Sequence, residues 1–139
     1  LKKTKLTLDF KDIDEYARKL DKFGGDLNRT VEKALTESKD LINEQLHAEM
    51  KRHRRTGRTE RSIRDDAKVT WSGTLASIDV GFDILNGGLP SIFLMYGTPK
   101  QPKDQKIFDA VYGRSTKRKI KEIQEKIFQE ALKEVSNGR

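Results

Sequence analysis

Between Asp26 and Met50 the apolar and small side chains recur with the 3.6-residue period of an α-helix. Leu27, Val31, Ala34, Leu35, Ser38, Leu41, Ile42, Gln45, Leu46 and Glu49 trace one stripe along it. At about 1.5 Å per residue this helix extends roughly 36 Å, enough to span a sheet or to reach toward a neighbouring subunit. Any fold open to the chain has to cover that stripe. With 139 residues, the chain is expected to form a single domain over 1–139, since domains run to roughly 100–200 residues.

The flanking segments supply the cover. Leu6, Leu8 and Phe10 alternate with Lys5, Thr7 and Asp9, the period-2 pattern of a half-buried strand. Asp12 followed by Glu15 resembles a capping box, and Ile13, Tyr16, Ala17, Leu20 and Phe23 then share a helical face that Gly24-Gly25 terminates. Two alternating stretches, Ala67/Val69/Trp71 and Ala76/Ile78/Val80/Phe82, flank Ser72-Gly73 and predict an antiparallel hairpin. Asn86 to Pro90 reads as a loop, and the apolar run Ile92 to Tyr96 is too short for periodicity to assign. A short helix is expected within Lys103 to Tyr112. A last helix begins near Ser115-Thr116, with Ile120, Ile123, Ile127, Phe128, Ala131, Leu132 and Val135 on one face. The expected fold class is α+β: a small antiparallel sheet with a hairpin, packed against the long helix and the C-terminal helix.

Composition narrows function mainly by exclusion. The chain has no cysteine, so thiolate catalysis, thiol redox chemistry and Cys-type zinc sites are excluded. Its apolar runs fall far short of the ~20 residues of a spanning helix, and no apolar core follows Lys2, Lys3 and Lys5 as it would in a signal peptide; a soluble protein with no membrane partner is expected. His47 and His53 are six apart and do not share a helical face, and no nucleophile or carboxylate constellation accompanies them. Asp65, Asp66 and Asp79 are more economically explained by a turn and an exposed strand position than by a cation site. The expectation is a protein that is not an enzyme and carries no catalytic residues, cofactor or metal.

The remaining feature is charge. Lys and Arg total 29 against 22 Asp and Glu, a net +7. Between Lys51 and Arg61 six basic residues face one Glu, and the periodicity disappears, which reads as a basic loop turning at Thr56-Gly57. Arginine dominates there (Arg52, Arg54, Arg55, Arg58, Arg61, then Arg64), and its fork suits carboxylate or phosphate. A second basic stretch comprises Lys100, Lys103, Lys106, Arg114, Lys117, Arg118, Lys119 and Lys121. Contact with a polyanion or partner weighs evenly against a solvated surface that pairs with acids such as Glu44 and Glu49. Gly113 to Lys117 lacks the phosphate-loop spacing, and its cations oppose the helix dipole, so an acidic neighbour is expected nearby.

Arg55-Thr56-Gly57-Arg58, then Ser62-Ile63, and later Tyr96-Gly97-Thr98-Pro99 resemble the gene-ten-product family of long-tailed bacteriophages, whose members are described as tail components or as head–tail joining and tail-completion proteins. The family order is a long helix, the Arg-Thr-Gly-Arg turn to Ser-Ile, a hairpin, an aromatic-Gly-Thr segment, a proline-containing stretch and a closing helix; this chain follows it from about Leu27 to Val135. It departs at Arg54, where family members often carry Pro, at Met95-Tyr96, where they carry Glu-Phe, and at Asp109, which replaces a proline.

The resemblance implies a virion structural protein at the head–tail junction or tail, assembled in the host cytoplasm. Its partners would be other neck and tail proteins and a possible homo-oligomeric ring. The implied interface comprises Arg54, Arg55, Thr56, Gly57, Arg58, Arg61, Ser62, Ile63, Tyr96, Gly97, Thr98, Pro99, Lys100 and Lys103. Within it Gly57 is expected to permit a sharp turn, Thr56 and Ser62 to satisfy backbone groups, Ile63 to anchor the exit to the core, and Gly97-Thr98-Pro99 to launch a mobile basic arm. The alternative is a small basic nucleic-acid-binding protein, which is less favoured because no reading element is evident.

Overall fold

A computed structural model describes residues 5–9, 14–22, 26–54 and 57–137. Its fold is α+β. Strands β1 (Lys5–Asp9), β2 (Thr70–Ser72) and β3 (Leu75–Asp79) form one sheet in the order β1-β3-β2, antiparallel throughout. Register puts Leu6 opposite Ile78, and Leu8 and Trp71 opposite Ala76. Cross-strand partners share a face, so these five side chains form the inner surface, while Thr7, Thr70 and Ser77 face outward. Ser72 already pairs with Leu75, so the turn is Gly73-Thr74, one residue later than the sequence suggested.

The long helix, α2 (Leu27–Met50), is the centre of the molecule. Asp26 caps it, with Oδ1 accepting from the Arg29 amide at 3.1 Å. It packs against β1 and β3 and also against α5 (Gln105–Tyr112) and α6 (Arg114–Asn137), so it is covered from two directions. Val31, Leu35, Ile42 and Leu46 are almost wholly buried, and such side chains each contribute about 1.5–3 kcal/mol by leaving water. Ser38 Oγ accepts from Gln124 Nε2 at 3.2 Å, and Gln45 Nε2 donates to Thr116 Oγ1 at 2.9 Å. Moving up seven residues on α2 therefore moves down eight on α6, so the two helices run antiparallel. Trp71 Nε1 donates to Glu32 Oε1 at 2.8 Å, tying β2 to α2 as well.

Helix α1 (Asp14–Lys22) contacts α6 and α2. Its expected cap at Asp12, the face residues Ile13 and Phe23, its Gly24-Gly25 stop and Phe10 of the first strand lie outside the described residues. Two sequence assignments are changed or completed. The basic stretch is not an irregular loop, since Lys51–His53 continues α2 as a 3-10 turn and Arg58–Arg61 forms a one-turn helix, α3. The apolar run is helical: α4 spans Ser91–Tyr96, with Ser91 and Met95 facing the core. Thr116 is buried and donates to the Asp109 and Ala110 carbonyls at the end of α5, which also accept from the Gly113 amide and from Gln45 Nε2 respectively.

Candidate functional site

The first implicated segment begins where α2 ends. Arg54 clamps Glu60 with both arms of its fork, at 2.7 and 3.0 Å. This pairing holds the Glu60 carboxyl below its ordinary value despite partial burial. His47 joins the cluster from α2, with Nε2 2.7 Å from Asp65 Oδ2 and Nδ1 3.5 Å from Glu60. Gly57 stands at the start of α3 with φ of 74°, left-handed backbone that a side chain would strain, so the expected sharp turn is present there. Arg55 and Thr56 lie outside the described residues. Arg58 lies across Gly87, its Nε and Cγ 3.1 and 3.2 Å from where a Cβ would sit. Arg61 packs back over Gly57.

Ser62 and Ile63 are buried, which corrects their place in a contact surface. Ser62 Oγ donates to Thr59 O at 2.6 Å, and its own carbonyl accepts from the Asp83 amide at 2.7 Å. Ile63 forms a β-bridge with Phe82. Both residues therefore position the arginine segment from within the fold. Arg64 next follows into a pair of acids, Asp79 and Asp83, each at 3.2 Å.

The second segment does not leave the body as an arm. Gly97, at φ of 77°, ends α4, and a Cβ there would stand 2.7 Å from the Lys103 amide nitrogen. Thr98 donates its amide to Gln101 O at 2.8 Å, while Thr98 Oγ1 accepts from the Lys100 and Gln101 amides. Pro99 and Lys100 thus form the exposed tip of a closed turn, and the Asp104 amide returns to Leu94 O at 2.7 Å. Lys103 Nζ lies 4.0 Å over the Phe108 ring, which meets Tyr96 edge-on at 6.3 Å. Partial desolvation of its hydroxyl, together with the neighbouring Tyr112 hydroxyl, raises the phenol of the otherwise exposed Tyr96 above its usual pKa.

Asp104 brings the two segments together. Its carboxylate takes Arg52 bidentately at 2.8 and 3.1 Å, across 52 residues of chain, and His53 Nε2 at 2.7 Å. Sequence reasoning does not single out Asp104, because nothing local reveals a partner so distant. It also passed over an exposed apolar face. Leu85, Leu89, Phe93 and Tyr96 remain 51–77% exposed, and the last three recur at helical spacing on and just before α4. That spacing was the available signal. Among the described residues no group of His, Asp and Glu could hold a metal ion. Comparison of the chain with protein-family models, curated proteins and solved structures returned no match to any of them.

Proposed function

We propose that this chain is a bacteriophage virion structural protein at the head–tail junction, serving as connector or tail-completion component through contacts with copies of itself and with other neck and tail proteins. One observation carries the reading. Asp104, just after the Tyr96–Lys103 turn, binds Arg52 and His53, just before the arginine motif, and Arg58 of that motif lies across Gly87, between the exposed Leu85 and Leu89 in the chain. Rigidly presented apolar side chains ringed by charge suit a protein partner. The arginine forks at Arg52, Arg54 and Arg64 are engaged by this chain's own carboxylates, so they act mainly in shaping that surface.

Electron microscopy of lysates after disabling the gene in its parent phage, with complementation as control, tests the proposal. DNA-filled heads separate from tails, or tails of wrong length, are the expected outcome and tell joining from completion. Normal infectious particles would overturn it. A second reading, nucleic-acid binding, is favoured by the exposed cations Lys117, Arg118, Lys119 and Lys121 near the start of α6.

A further inference from the structure

We infer that the exposed face around α4 is one half of a copy-to-copy contact whose other half is the groove between α2 and α6. The inference rests on the assembly reading in supposing that copies associate, and it names the surfaces that do so. Three large apolar side chains at helical spacing, Leu89, Phe93 and Tyr96, with Leu85 exposed in the turn before them, exceed the scattered exposure usual for a soluble surface. Basic groups edge them: Arg58 across Gly87, which lies between Leu85 and Leu89, and Lys103 beside the Tyr96–Phe108 pair, with Lys100 at the adjoining tip.

The groove is complementary in both respects. It has a volume of about 400 Å³ and an apolar floor of Leu41, Ile123 and Ile127. Its walls carry Glu37, Asp40, Glu44 and Glu130 against Lys33 and Lys126, with the buried Lys39 3.3 Å from Asp40, so the acidic excess lies at Glu37 and Glu44. Pairing two α4 faces would set basic edge against basic edge, and pairing two grooves would set acid against acid. Seating the face of one copy in the groove of the next relieves both repulsions while covering the apolar surface of each. Because the two surfaces share no residue, the contact is heterologous: each copy keeps one unused surface, and growth stops only when a ring closes. A nucleic acid fits this arrangement poorly, since the groove repels phosphate.

Sedimentation velocity on the purified 139-residue chain tests this with Phe93→Asp on the face and Glu37→Lys with Glu44→Lys in the groove, all at exposed positions. Wild type is expected to associate as concentration rises, and each variant alone to associate roughly tenfold or more weakly, as for a central contact residue. An equimolar mixture of the two variants retains one intact face and one intact groove, so it forms dimers and goes no further. Wild type that is monomeric at every concentration, or a mixture that stays monomeric, overturns the inference. Circular dichroism checks folding. Lys100→Glu with Lys103→Glu gives a second route, because mixing it with the groove variant restores opposite charge across the contact. The two readings fail separately: normal particles without the gene product sink the assembly role and leave this contact measurable, whereas defective particles with a monomeric protein do the reverse.

Discussion

Asp104 Oδ1 accepts the Lys106 and Ile107 amides at the start of α5, while the same carboxylate receives Arg52 and His53 from beyond α2. Burial alone would push this carboxyl up; the hydrogen bonds from Arg52, His53 and the Ile107 amide outweigh it and hold the group well below the ordinary carboxylate range. The native pKa thus lies below the unfolded value of about 3.9, so the stabilisation is fully present above that pH and fades as pH falls toward the native value. Asp104→Ala removes cap and ion pair together and is expected to cost about 2 kcal/mol. Asp104→Asn keeps an acceptor for the cap and should lose about half as much. Urea denaturation near neutral pH checks both; the gap between wild type and Asp104→Asn should narrow as pH drops below about 4, and a constant gap would refute the assignment. Local pairing was legible in the sequence, since Arg52 does reach Glu49 one helical turn back at 3.0 Å. Pairing with Asp104 was not, because it depends on where α5 packs.

At the scale of elements, α2 carries more than its apolar stripe. Lys39 and Asn43, four residues apart, are buried on a face that the periodicity does not mark. Lys39 donates to the Asp65 and Ala67 carbonyls. Asn43 Nδ2 donates to Arg64 O at 3.1 Å, and its Oδ1 accepts from the Gly81 amide at 2.9 Å, so one side chain fixes the segment entering β2 against the segment leaving β3. Arg64 N also donates to Gly81 O at 2.8 Å, closing a three-way junction. Asn43→Ala leaves the Gly81 amide without its acceptor, while the Arg64 carbonyl keeps the Ala67 amide at 3.3 Å, and the expected loss is about 2 kcal/mol. A urea midpoint shift with unchanged m-value checks it; a loss under about 0.5 kcal/mol, the range of an ordinary surface change, would show the junction holds without the bridge. Periodicity revealed the long helix, the hairpin and the closing helix because each buries a repeating face. It could not reveal a polar residue whose partners are backbone groups brought from 21 and 38 residues away.

Over the whole molecule, the fold sorts the net +7 into two kinds of cation. Arg52, Arg54 and Arg64 lie against carboxylates of the same chain, which lowers the potential they present outward. Lys117 and Arg118 are exposed near the positive end of the α6 dipole, which disfavours them and leaves them drawn to any nearby anion, and Lys121 follows one turn later with only an exposed 4.0 Å pairing to Glu125. Whatever affinity the chain has for nucleic acid should therefore come from α6 and not from the arginine segment. In fluorescence anisotropy with duplex DNA, log affinity should fall linearly with log salt. Replacing Lys117, Arg118 and Lys121 by Ala should flatten the line by about 0.9 for each phosphate contact removed. Arg54→Ala should leave the slope unchanged, since its fork is occupied by Glu60. A protein whose business is joining other proteins needs no more than the roughly 10⁻⁴ to 10⁻⁶ M of non-specific binding at physiological salt. Much tighter, sequence-dependent binding would instead transfer the weight of the argument from the α4 face to α6, and with it the function from assembly to nucleic-acid recognition.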